Sequence, residues 1–127
     1  MSRMIQDYQR LHICPTETAL EMLSGRWKPR ILWKIYQQEV VRFGDMIRRL
    51  PVFTPKMLTQ QLRELEEDVL VLCYIYTEVP PKVEYSLSEF GKTLQPILDT
   101  IANWGESHHS QIVEILGRQP GKSESTR

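Results

Sequence analysis

The sequence has few cysteines and glycines, no net charge and no long uncharged apolar run. Only two cysteines and six glycines occur among 127 residues, and 16 basic residues balance 16 acidic ones. Two cysteines provide no disulfide framework, and the isolated glycines form no phosphate-binding loop. Charges interrupt every candidate membrane span, and the first 15 residues lack the apolar segment of a signal peptide. These absences predict a cytoplasmic protein whose cysteines are thiols.

Catalytic and metal-binding patterns are absent from the sequence as well. The three histidines, His12, His108 and His109, have no carboxylate or cysteine at metal-ligand spacing. No Ser-His-Asp arrangement and no catalytic pair of carboxylates is identifiable. We therefore expect neither an enzyme nor a cofactor or metal site.

The zero net charge conceals an uneven distribution. Residues 26–63 include nine basic and two acidic residues, a net charge of +7, whereas residues 64–127 include five basic and eleven acidic ones, a net charge of −6. Such asymmetry indicates a side of the protein that faces a polyanion, although a merely solvated charged face would give the same count.

The length and composition fit a single domain. A chain of 127 residues that is 41% hydrophobic and 25% charged can bury a modest core. We predict one domain over residues 1–117 with an N-terminal arm at 1–13, and a disordered tail at 118–127, where the sequence is polar and has no periodicity.

Four helices are predicted in the first half of the chain. "CPTETALEML" begins a helix at Pro15 that ends by Gly25, and "RWKPRILWKIYQQ" forms a second. "RFGDMIRRL" forms a third helix that Pro51 stops. Thr54 then caps a fourth helix in "FTPKMLTQQLRELEEDVL".

The fourth helix has one apolar and one polar side. Leu58, Leu62 and Leu65 fall on one face at 100° per residue. The opposite face carries basic and amide side chains, and the acids come at the end of the helix. Its polar members are Lys56, Thr59, Gln60 and Arg63.

The period changes after the fourth helix. "VLVLCYIYT" and "KVEYSLS" read as two strands, joined by the proline-containing turn "EVPPK". Ser88 then caps one long last helix, which Pro96 and Gly105 are expected to bend. The apolar stripe of this helix is longer than a small core needs, so we expect Leu98, Ile101 and Trp104 to lie in a homodimer interface.

This order of elements predicts a mainly α protein with a small β-hairpin, an α+β arrangement known as the winged helix-turn-helix, with a long C-terminal dimerisation helix. The third and fourth helices form the helix-turn-helix, and the hairpin is the wing. The polar face of the fourth helix would enter a major groove, where Gln60 can read adenine and Arg63 guanine or phosphate. Residues expected to contact double-stranded DNA are Thr54, Lys56, Thr59, Gln60, Arg63, Arg48 and Lys82.

The chain also resembles the HxlR family of bacterial winged-helix regulators, relatives of the MarR group. The resemblance rests on "GRWKPRIL", "RFGDMIRRLP", "KMLTQQLRELEED", "EVPPKVEYSLSEFG", "CP" at Cys14 and "WG" at Trp104, in this order over most of residues 14–105. It implies a homodimeric transcriptional regulator that binds an operator, with Thr54 to Asp68 as recognition helix and Pro80 to Lys82 as wing tip.

Two positions depart from the family pattern. Val69 stands where the family usually has glycine, and a β-branched residue resists the left-handed backbone, so we expect a differently built turn there. Leu72 and Cys73 stand where relatives tend to carry charge in the first wing strand, and we expect them to pack rather than to contact phosphate.

Two alternatives stay open at this point. Cys14 precedes Pro15 at a helix start, where a thiol can become reactive, and the resemblance implies a redox or electrophile switch; a small residue that caps or packs the helix is the other interpretation. The fourth helix could also serve a winged-helix protein-interaction module without specific DNA binding. Loss of binding at higher salt would distinguish DNA from protein as the partner.

Overall fold

The structure is a computed structural model that describes residues 14–118. The predicted arm at 1–13, with His12, and the predicted tail after residue 118 lie outside the described residues. The elements in chain order are α1 (Pro15–Met22), α2 (Lys28–Gln38), β1 (Val40–Arg42), α3 (Phe43–Arg49), α4 (Pro55–Glu67), β2 (Val71–Tyr76), β3 (Lys82–Leu87), α5 (Glu89–Lys92), α6 (Gln95–Ser107) and α7 (His109–Gly117).

Helix α4 begins as its sequence predicts. The Thr54 hydroxyl accepts a hydrogen bond from the Met57 amide at 3.1 Å, and Pro55 occupies the first turn, where no amide donor is needed. Leu58, Leu62 and Leu65 are buried in the core. They belong to one buried cluster with residues of α2 and α3, among them Ile31, Leu32, Ile35 and Met46.

The wing is larger than the predicted hairpin. Strand β1 pairs antiparallel with β3, so the sheet has three strands in the order β1-β3-β2. Val41 of β1 is buried and lies opposite Tyr85. The predicted hairpin of β2 and β3 is confirmed. The third strand, β1, was not predicted because its three residues are too few to show a period of two and its partner lies more than 40 residues away.

The predicted long last helix is three helices. The ring of Pro96 has no amide hydrogen and collides with the carbonyl four residues earlier, and α5 ends at that residue, Lys92. The second break is at His108, which ends α6 and begins α7. Gly105, the other position at which a bend was predicted, lies inside α6, three residues before this break.

The turn from α4 to the wing contains strained backbone. The Leu70 amide donates to the Leu65 carbonyl at 3.0 Å, and the Val69 amide donates to the Glu66 carbonyl at 2.9 Å. This pair of bonds is the Schellman ending, which places a left-handed residue after the helix. Val69 adopts that conformation with φ of 62°, so the expectation that a β-branched residue would avoid it was wrong.

A tight joint connects this turn to α5. The Ser88 hydroxyl donates to the Val69 carbonyl at 2.6 Å and accepts from the Gly91 amide at 2.8 Å, while the Ser88 amide donates to the Leu70 carbonyl at 3.0 Å. A side chain at Gly91 would collide with the Leu70 carbonyl. Gly91 is therefore required for α5 to lie against the end of α4.

Candidate nucleic-acid interface

The predicted polar face of α4 is exposed. Lys56, Thr59, Gln60 and Arg63 all lie at the surface, while the leucines on the opposite side of the helix are buried. The Thr59 hydroxyl donates to the Pro55 carbonyl at 2.8 Å. Helix α4 is thus fixed by its apolar side and presents its polar side to solvent.

An open groove of about 610 Å³ joins the helix-turn-helix to the wing. Arg48 of α3, Thr59 of α4 and Lys82 of β3 line this groove, so the structure brings together three side chains that the sequence assigned to DNA contact. Arg42 of β1 also lines it. Arg42 was not predicted as a site residue, because strand β1, which places it there, shows no period in the sequence.

The cations of the groove have acidic neighbours. Arg48 pairs with Asp45 on the same helix, but its side chain is 74% exposed. Lys82 Nζ lies 3.6 Å from Glu84 Oε2 and 4.3 Å from the centroid of the Tyr76 ring. The Arg48 pair is exposed and therefore weak, so Arg48 can exchange Asp45 for phosphate. The side chains of Lys82 and Glu84 are only 28% and 19% exposed, so this pair is held more firmly in the wing.

The wing also contains a hydrogen-bonded tyrosine. The Tyr76 hydroxyl donates to Glu84 Oε1 at 2.8 Å. This hydrogen bond is the main reason that the pKa of the Tyr76 phenol is raised. Glu84 thus holds Tyr76 and Lys82 together, and Lys82 lies at the first residue of β3, directly after the wing turn.

The two residues at which the chain departs from the family pattern in β2 behave differently. Cys73 is half-buried and packs against the core, and burial raises the pKa of its thiol. Leu72 is 55% exposed, so the expectation that it packs was wrong. Alternation along the strand places the two side chains on opposite faces of the sheet.

Helices α6 and α7 expose apolar side chains. Ile101 is 53% and Trp104 is 60% exposed, whereas Leu98 is 4% exposed and belongs to the core of the subunit. Ile101 borders an apolar groove of about 390 Å³ between α1, α2 and α6, which Leu20 and Trp33 also line. Leu20, which is 57% exposed, was not predicted as part of this surface.

Cys14 is exposed and precedes the first turn of α1. Its thiol lies 3.4 Å from Glu17 Oε1, to which it donates a hydrogen bond. The thiol is therefore accessible and lies beside a carboxylate.

The described residues contain no helix with the length and apolar character needed to cross a membrane. Within residues 14–118, no three His, Cys, Asp or Glu side chains are grouped so that they could hold a metal ion.

Comparison with known proteins identifies relatives over most of the chain. The family model described as HxlR-like helix-turn-helix matches residues 22–113. The chain is 43% identical over 102 residues to YdeP of Bacillus subtilis (strain 168), covering 80% of this chain and 79% of YdeP. It is 44% identical over 112 residues to YybR of the same organism, covering 88% of this chain and 89% of YybR. Both relatives carry the name uncharacterized HTH-type transcriptional regulator.

Among solved structures, the redox regulator HypR in its reduced form is similar, with a TM-score of 0.75 and 42% sequence identity. The match covers 80% of this chain and 99% of HypR. The capped helix with an exposed polar face, the wing beside it and the family match over residues 22–113 agree with one another. The chain belongs to the HxlR-like helix-turn-helix family of transcriptional regulators.

Proposed function

We propose that this protein is a sequence-specific DNA-binding regulator that acts in the cytoplasm as a homodimer. The observation that carries the proposal is the groove in which side chains from α3, α4 and the wing meet beside the exposed polar face of α4. A helix of this kind fits the major groove of B-DNA, and the wing then lies along the neighbouring backbone.

The side chains of α4 have distinct roles in this proposal. Gln60 and Arg63 lie beyond the first turn and read base edges, Gln60 with adenine and Arg63 with guanine. Lys56 and Thr54, at the positive end of α4, contact phosphate. The Thr54 oxygen already accepts the Met57 amide, and its hydroxyl hydrogen remains available to a phosphate oxygen.

The cations outside α4 set the position of the protein on the duplex. Arg48 and Lys82, which line one groove together with Arg42, neutralise phosphates beside the recognition helix. Such contacts release counterions, so affinity falls steeply with salt and carries no base preference.

The test is selection of bound duplexes from a randomised library with the full chain, followed by salt titration of the enriched sequence. Arg63→Ala should lower affinity for the enriched duplex by about 1–3 kcal/mol and relax one base position in each half-site. Lys82→Ala should weaken binding to enriched and random duplexes alike and flatten the salt slope by about one unit.

Two results would contradict the proposal. A wild-type chain that enriches no sequence is not a sequence-specific regulator. Binding that does not weaken between about 50 and 200 mM salt would indicate the alternative, a winged-helix module that binds protein through the same surface.

The homodimer is supported by the exposed apolar side chains of α6 and by the apolar groove beside them. A continuous apolar surface of this kind is rare on monomers, and a second copy presenting the same side chains would cover it. Leu98 is buried in the core of the subunit, so it supports the exposed side chains of this surface but would not itself contact a second copy.

A redox or electrophile signal is the proposed input. Cys14 is exposed at the start of α1, and the similar protein HypR is described as a redox regulator. Reaction of the thiol adds bulk or charge at the start of α1, the helix whose Leu20 lines the apolar groove, and a shift of this helix would change how two subunits pack.

A further inference from the structure

Three side chains form a chain of contacts from the beginning of α2 to the exposed polar face of α4. Gln60 Nε2 donates to Glu64 Oε2 at 3.0 Å. Glu64 Oε1 in turn lies 3.1 Å from Lys28 Nζ. Each carboxylate oxygen of Glu64 therefore has one partner, an amide on one side and an ammonium on the other.

Lys28 is a firm anchor for this chain of contacts. Its side chain is only 12% exposed, and its ammonium also lies 3.8 Å from Asp68 Oδ2, on a side chain that is 8% exposed. A lysine held between two carboxylates has few alternative rotamers. The position of the Glu64 carboxylate is thus determined from the core side of α4.

Glu64 is ionised at neutral pH. The Gln60 hydrogen bond and the Lys28 ammonium lower the pKa of its carboxyl group. Hydrogen bonds to a charged acceptor are stronger than neutral ones, so Gln60 is bound to Glu64 more firmly than an ordinary exposed glutamine to its neighbour.

The contact leaves the reading atoms of Gln60 available. A primary amide has two N–H hydrogens and one carbonyl oxygen, and Glu64 uses one hydrogen. The other hydrogen and the oxygen form the donor and acceptor pair that adenine N7 and N6 require. A glutamine without such a neighbour must lose its rotamer freedom on binding, and this lowers affinity and blurs discrimination.

We propose that Glu64, anchored by Lys28, is a positioning residue that orients the Gln60 amide for bidentate recognition of one adenine in each half-site. This inference rests on the proposed function, since it requires α4 to enter a major groove. It adds a specificity-determining pair of residues that does not itself contact DNA.

The experiment uses the full chain and a randomised duplex library, with wild type, Gln60→Ala, Glu64→Ala and the double variant selected in parallel. Gln60→Ala should remove adenine preference at one position per half-site, a change of about 5- to 150-fold. Glu64→Ala should reduce preference at that same position by about fivefold, the effect of one hydrogen bond. The double variant should match Gln60→Ala, because Glu64 acts only through Gln60.

Glu67→Ala is the charge-matched control. Glu67 is an exposed acid at the same end of α4, and its removal should change affinity for all duplexes without changing the base preference. Lys28→Met should reproduce the effect of Glu64→Ala at the same base position.

The inference is overturned if Glu64→Ala leaves the adenine preference intact while Gln60→Ala removes it. It is likewise overturned if Glu64→Ala weakens binding to all sequences equally and this loss adds to that of Gln60→Ala in the double variant. It is also overturned if Gln60→Ala changes no base preference. These results differ from a wild-type chain that enriches no sequence, which would contradict the proposed function itself.

Discussion

Gly91→Ala tests whether the joint between α4 and α5 is as tight as the structure shows. The added methyl group would collide with the Leu70 carbonyl oxygen and lie 3.0 Å from its carbon. Both atoms belong to the backbone, so no side-chain rotation can relieve the contact. We expect Gly91→Ala to destabilise the protein strongly for a substitution of one methyl group.

The magnitude follows from three contributions. Overpacking of a buried site costs about 1–3 kcal/mol. The required displacement also breaks the 3.0 Å bond between the Ser88 amide and the Leu70 carbonyl, which costs about 1 kcal/mol. Alanine favours helix over glycine by about 1 kcal/mol and offsets part of this. The expected net loss is about 2 kcal/mol, or a decrease in Tm of about 8 °C for a domain of this size.

Urea unfolding followed by circular dichroism measures this loss. Gly44→Ala is the control, because Gly44 is also helical but a methyl group there meets no atom within 4 Å. That variant should be as stable as wild type or up to about 1 kcal/mol more stable. Equal urea midpoints for the Gly91 and Gly44 variants would refute the close contact at Gly91.

Three further predictions concern the dimer, the thiol and the acid range. Ile101→Glu should shift the protein toward monomer in sedimentation at micromolar concentration, because it places an unpaired charge in the proposed interface. Leu72→Glu should not, although Leu72 is similarly exposed on the sheet. A monomeric wild type would exclude the interface. Diamide should change DNA affinity of wild type and of Cys73→Ser but not of Cys14→Ser, and an identical response of all three would place the signal elsewhere. The pKa of Glu64 is lowered in the folded state. Its contribution to the free energy of unfolding is therefore present above the unfolded pKa and is lost as pH falls through the folded pKa. Glu64→Gln should flatten this decline of stability in acid, and an unchanged pH dependence would contradict the contact between Glu64 and Lys28.

Local signals predicted most of the helices. The start and the buried face of α4 are indicated within a few residues of sequence, by Thr54, Pro55 and Leu58. Such signals depend only on the backbone geometry of one turn. The fold class and the exposed face of α4 were therefore accessible from the sequence.

Features that depend on distant partners were not predicted. Strand β1 forms because it pairs with β3, where Val41 lies opposite Tyr85. Its three residues are too few to show a periodic pattern in the sequence. The contact between Lys28 and Glu64 joins residues 36 positions apart, so no sequence spacing reveals it. The left-handed Val69 shows the same limit, since packing on both sides of a turn can impose a backbone that the residue itself disfavours.

Because the C-terminal segment is divided into α5, α6 and α7, α6 can rotate as a rigid helix about the break at its N-terminal end. Its 13 residues span about 20 Å. In the proposed homodimer, a rotation of roughly 10° at the Pro96 end would move the other end by about 3.5 Å, which is close to the rise of one base pair. Two recognition helices must reach major grooves about 34 Å apart on one face of the duplex. If α6 forms the contact between the two subunits, a small angular change at this break would alter the spacing of the recognition helices and weaken binding to a palindromic site without unfolding either subunit.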